Sequence, residues 1–154
     1  MNVVPFKTDD DIKLTNKEIY DLIKTAPGMK KLLNLANLSY KLKYIVRKIV
    51  KELEKKFDEI DQNRVKKILK YCNKDENAQP MIVDGNYDFP DQKSKDDWSK
   101  EYDAFISKEN IFPFKKLVIN FEDAVFFSVI EMISLESIAI FPDPEENNNV
   151  PTSY

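Results

Sequence analysis

Between Leu38 and Cys72 the chain carries Leu38, Leu42, Ile45, Val46, Ile49, Leu53, Phe57, Ile60, Val65, Ile68 and Cys72 at spacings of mainly three or four, with no Gly or Pro between them. That is the stripe of an amphipathic helix. A helix over this whole stretch would rise roughly 50 Å, longer than a compact domain of 154 residues is wide. It must protrude, bend or pair with another helix. The spacing leaves a strict heptad at Phe57 and Val65, which favours a long helix or a helical hairpin over a regular coiled coil.

Punctuation elsewhere in the chain sets the other elements. Thr15-Asn16-Lys17-Glu18 is a capping box. It opens a short helix through about Lys24, with Ile19, Leu22 and Ile23 on one face, and Ala26-Pro27-Gly28 is expected to end it. From Met29 the pattern is helical again, with Asn34 and Asn37 marking a break or bend. Asp84-Gly85-Asn86 supplies positive-φ residues for a tight hairpin turn, with strands at about 81–83 and 87–89. Ser94 with Asp97 reads as the cap of a helix over 95–108. Pro113 is expected to break the chain, residues 114–119 to form a strand, and Asn120 to cap a helix running from about 121 into the 130s. The expected architecture is α+β and predominantly helical, with a small β-hairpin and a short C-terminal α/β segment. Residues 1–14 read as a polar N-terminal arm or an early strand, 15–141 as a single domain and 142–154 as a disordered tail.

Composition removes many chemistries. The chain has no His, two Gly and one Cys. That leaves no Ser-His-Asp or Cys-His catalysis, no imidazole ligand, no glycine-rich phosphate cradle, no internal disulfide and no thiolate zinc cluster. Asp9-Asp10-Asp11 reads as a solvated arm rather than an ion site. Asn73-Lys74-Asp75-Glu76-Asn77 resembles the start of a calcium loop but lacks the Gly at position six and the Glu at twelve. Glu131 and Glu136, five apart, fall on different faces of a helix and read as acids at the edge of a core or interface. Cys72 reads as a small packed hydrophobe. No catalytic residue, metal ligand or cofactor is expected, and the reading is non-enzymatic.

The run 124–141 is the most apolar stretch, but Glu131 and Glu136 within it argue for a buried segment rather than a membrane span, so no membrane partner is expected. The start lacks the charged and apolar regions of a secretory leader, and a lone thiol suits a reducing cytoplasm. Charge is strongly asymmetric. Residues 30–71 hold 13 Lys and Arg against 5 Asp and Glu, a net of +8 in a chain whose total is −3, while residues 75–109 hold 10 acids and 4 bases. The simpler reading is a solvated helix face, partly neutralised by the acidic segment folding against it. The alternative is a nucleic-acid-binding module using Lys41, Arg47, Lys48, Lys51, Lys55, Lys66 and Lys67 as phosphate contacts.

The order of features resembles a family of small uncharacterised proteins encoded by tailed bacteriophages. The likeness rests on Thr15–Glu18, the Lys/Glu-rich helix through Tyr71, Lys74–Asn77, Gly85-Asn86-Tyr87-Asp88-Phe89, the helix Trp98–Lys108 and Leu135-Glu136. It covers about residues 15–141 and is most specific from Lys74 to Phe89. The chain departs from that pattern at Ala78, where Gly is expected, and in a shorter hairpin. The resemblance implies an accessory or virion-associated protein, located in the host cytoplasm or the virion, and brings no catalytic residues. The expected action is binding to a phage or host protein, or self-association. Tyr87, Phe89, Trp98, Phe112 and Phe114 are the candidate contact aromatics, and the hairpin and C-terminal apolar segment supply the surface.

Overall fold

The structure, a computed structural model, describes residues 11–34 and 38–143. Strand β1 (Asp11–Thr15) leads directly into helix α1 (Asn16–Lys24) through the expected capping box. The Thr15 hydroxyl accepts the Glu18 N–H, and the Glu18 carboxylate accepts the Thr15 N–H. Alternation along β1 buries Ile12 and Leu14 and exposes Lys13. Of the arm expected over 1–14, residues 11–14 are therefore core strand, and residues 1–10 lie outside the described residues.

Pro27 does not simply stop the chain. It is the first residue of helix α2 (Pro27–Asn34), where its fixed φ suits a helix start and its missing N–H costs nothing. Helix α3 (Tyr40–Ile68) begins at Ser39, whose side chain accepts the Leu42 N–H at 3.3 Å. It is one continuous 29-residue helix, not a hairpin, and rises about 43 Å. The excess length is absorbed by stacking two cores under one helix. Leu42, Val46, Ile49, Val50, Leu53 and Ile60 belong to the main core with β1, α1 and α2. Ile68 lies in a second, smaller core with Cys72 and Trp98.

The second core is closed by a tight hairpin and a helix. Strands β2 (Ile82–Val83) and β3 (Asn86–Tyr87) flank Asp84 at φ 52° and Gly85 at φ 80°, so the second strand lies slightly earlier than expected. Helix α4 (Gln92–Ile106) is capped by Asp91, whose carboxylate accepts the Ser94 N–H at 2.7 Å. Ser94 is thus inside the helix rather than its cap, because the extended Asp91 backbone already aims a stronger acceptor at that amide.

Strand β4 (Glu109–Lys115) pairs antiparallel with β1 and runs through Pro113 without a break. The register shifts between Asp11 and Lys13, opposite the stretch that holds Pro113. A two-stranded sheet with an irregular register loses little from one missing donor. Asn16, 4% exposed, ties α1 to this region. Its backbone N–H donates to the Lys108 carbonyl at 3.0 Å, its amide nitrogen donates to the Phe105 carbonyl at 2.7 Å, and its amide oxygen accepts from Asn110 at 2.8 Å. Strand β5 (Leu117–Val118) then pairs parallel with β6 (Ala139–Ile140). The crossover holds two short helices, α5 (Phe121–Ala124) and α6 (Val129–Ser134), in place of the single helix expected from Asn120. A second capping box, Ser128 with Glu131, restarts the chain at Val129 and splits the helix. The architecture is α+β and mostly helical.

Two backbone positions give direct tests. A Cβ on Gly28 would lie 2.3 Å from the Glu131 carbonyl oxygen and 2.6 Å from Leu135 Cγ, at the contact of α2 with α6. Gly28→Ala gains about 1 kcal/mol of helix propensity, but a backbone atom cannot step aside. The expected net loss is about 1–3 kcal/mol, read as a lower urea midpoint. Ala78 sits at φ 58°, where the resemblance expects Gly. Ala78→Gly should raise stability by about 0.5–1 kcal/mol, the relief of a left-handed Cβ less the added chain entropy. A thermal melt that falls would contradict this.

Candidate functional site

The five candidate contact aromatics do not form one surface. Trp98 and Phe112 are buried, in the second and main cores respectively. Phe114 packs against the main core, and Tyr87 and Phe89 pack against the second. Trp98 is the centre of a ring cluster, with Tyr102, Tyr71 and Tyr87 centroids at 5.3, 6.1 and 6.3 Å. Such offset and edge contacts are what apolar packing of rings produces. Tyr71 donates a hydrogen bond to Glu101, and Arg64 donates one to the Tyr87 hydroxyl.

The seven basic candidates divide along α3. Lys41, Arg47, Lys48, Lys51, Lys55 and Lys66 are exposed. Lys67 is not an open contact, since its ammonium lies 3.1 Å from Glu101 on α4 and 5.7 Å from the Phe105 ring centroid. The acidic segment therefore does fold against the basic helix, but only over its C-terminal half. Residues 52–68 hold five cations and five acids, of which Lys56–Glu59 at 3.3 Å and Arg64–Asp61 at 2.9 Å close as pairs. Residues 40–51 carry Lys41, Lys43, Arg47, Lys48 and Lys51 and no acid.

Asp75 shows how the Lys74–Asn77 motif works as structure. Its carboxylate accepts the backbone N–H of Asn77 at 2.8 Å and of Gln79 at 3.0 Å, so its lone pairs organise a turn. Among the described residues no group of three or more His, Cys, Asp or Glu is placed to hold a metal ion; Asp9 and Asp10 lie outside them. Among the described residues no helix is long and apolar enough to cross a membrane.

The segment 124–141 is only partly interior. Ala124, Phe127, Leu135, Ile138 and Ala139 are buried, whereas Val125, Val129, Ile130 and Ile133 are 76, 69, 72 and 57% exposed. Ser128 fixes the start of α6, and the helical period then puts Val129, Ile130 and Ile133 on one outward arc. The opposite side of α6 meets α2, where the Gly28 N–H donates to Ser134 Oγ at 2.9 Å. Ile133 lies at the lip of an open groove of about 630 Å³ between α1 and α6, whose ionisable lining is Glu18, Asp21 and Glu136, with no Lys or Arg. This exposed face departs from the expected buried segment, and it follows only once Ser128-Val129-Ile130-Glu131 is read as a second helix start.

Comparison with protein-family models, curated proteins and solved structures finds no match to this chain.

Two titrations follow from the geometry. Burial pushes the Cys72 thiol above its ordinary value, so it stays protonated at neutral pH. A disulfide reagent at pH 7.5 should modify it far more slowly in the folded protein than in urea; equal rates would contradict its packed position. Hydrogen bonds from Tyr71 and Lys67 hold the Glu101 carboxyl below the usual carboxylate range. A depressed folded value stabilises above the unfolded pKa of about 4.3 and is lost as pH falls through the folded value. Glu101→Gln should therefore lower the melting temperature at pH 7 and approach the parent at pH 3, measured by circular dichroism.

Proposed function

We propose that the chain is a non-enzymatic binding protein, of the accessory or virion-associated kind implied by its resemblance to tailed-phage proteins, and that it docks another protein on the outer face of α6. The observation that carries this reading is the exposure of Val129, Ile130 and Ile133 together on one helix arc. Fully burying each such side chain is worth about 1.5–3 kcal/mol. Contiguous apolar surface of this kind, rimmed by polar groups, is characteristic of interaction sites.

The rim indicates the partner's chemistry. Asp21 is paired with Lys17 at 2.7 Å and Glu18 serves the α1 cap, while Glu136 has no ion pair among the described residues. The groove beside Ile133 thus keeps a negative excess. A partner presenting an apolar anchor flanked by Lys or Arg complements it. A second copy meeting it face to face would set acid against acid.

A photo-crosslinking residue at Ile133, with a control at Lys100, tests the reading in cells that make the protein with its native neighbours. The expected product is an adduct to one different polypeptide from position 133 alone, lost when Val129 and Ile130 are changed to Asp. Equal labelling from both positions, no adduct, or an adduct to a second copy would overturn it.

A further inference from the structure

Residues 40–55 of α3 carry a surface that the protein-binding reading leaves unused. Lys41, Tyr44, Lys48, Lys51 and Lys55 fall at successive spacings of three, four, three and four, so they form one straight row on the solvent side. Arg47 and Tyr40 lie beside it. The row spans about 21 Å at 1.5 Å per residue. Among the described residues no carboxylate reaches Lys41, Arg47, Lys48, Lys51 or Lys55 within ion-pair distance. The wall continues off the helix, because Lys115 and Lys116 join Lys41 around an open groove of about 480 Å³ floored by Leu42, Ile45 and Phe114, whose one acid is the buried Asp123.

Helix stability does not account for this placement. The helix dipole is positive at its N-terminus and favours acids there, yet the first turn of α3 has none. The first acid of α3 is Glu52, in its fourth turn. Nor does core packing explain the tyrosines. Tyr40 is 86% exposed and Tyr44 53% exposed, and the Lys48 ammonium sits 4.7 Å from the Tyr44 ring centroid. The open Tyr40 ring and the half-exposed Tyr44 ring, with Lys48 over it, can stack with a planar group while the exposed cations hold its charge.

We infer that residues 40–55 of α3 form a binding surface for single-stranded nucleic acid, with Lys41, Arg47, Lys48, Lys51 and Lys55 contacting phosphates and Tyr40 and Tyr44 stacking on bases. Single strands are the form whose base faces are accessible to such rings. Lys67 is outside the surface because Glu101 pairs with it, and Lys66 is separated from Lys55 by Asp58, Glu59 and Asp61. The site is separate from α6, so both partners can be held by one chain.

The test is fluorescence anisotropy with a labelled 20-nucleotide mixed-sequence DNA, single-stranded and duplex, with polyglutamate as a competitor. Single-stranded binding should weaken with salt with a log–log slope no steeper than about −3.5, the value for five phosphate contacts on a single strand. Tyr44→Ala should weaken it by at least about fivefold, the lower end of one stacking contact. Lys48→Glu with Lys55→Glu should abolish it, and Lys66→Glu should leave it nearly unchanged, with circular dichroism showing each variant folded. Binding that survives the double change, or that is equal for duplex and is displaced fully by polyglutamate, would mean generic charge attraction and overturn the inference. Absence of binding at low salt would overturn it as well.

Discussion

Burial of a single stripe on α3 is the interaction on which the rest of the fold depends. Leu42 through Ile60 close the main core, and Ile68 continues the same stripe into the second. The other elements, the exposed strand β2 apart, add side chains to one of these two cores. Strand β1 and helix α1 supply Ile12, Leu14, Ile19 and Leu22 to the main core, and α4 supplies Trp98 to the second. A helix too long for one small core is satisfied by two in series.

That arrangement also sorts the charge. The hairpin and α4 must fold back onto the C-terminal half of α3 to cover Ile68 and Cys72. They bring Glu101 against Lys67 and Tyr71, and Tyr87 against Arg64. Neutralisation is therefore local to the second core. The N-terminal half of α3 has only its apolar side covered, and Lys41, Arg47, Lys48 and Lys51 stay exposed. At the other side of the main core α6 rests on α2 through the close approach at Gly28, which turns Val129, Ile130 and Ile133 outward. One apolar face and one basic face thus emerge as consequences of how two cores were closed.

The strong local signals were legible in the sequence. The Thr15 capping box, the Asp84-Gly85 turn and the α3 stripe each name a backbone state through short-range chemistry. Expectation and structure differ where two local signals compete. Pro27 follows the expected end of α1 and also begins α2, two residues before the helical pattern at Met29. Ser94 and Asp91 both suit a cap, and the extended Asp91 backbone settles it. Pro113 disfavours a strand in general but not at a register shift in a two-stranded sheet. The apolar run 124–141 looked continuous because periodicity alone does not show where Ser128 restarts the helix. Which lysines are neutralised was not legible, because Lys67 and Glu101 are 34 residues apart and meet only through the second core.

A chain with an uncovered apolar face on α6 and a negative rim should stay single until a partner of different composition arrives. Size-exclusion chromatography with light scattering, on the pure protein at low and at high salt, tests this most directly. A single species of 18.1 kDa at both salts is the expected result. A stable species of twice that mass would show that the α6 face is closed by a second copy and would contradict the account.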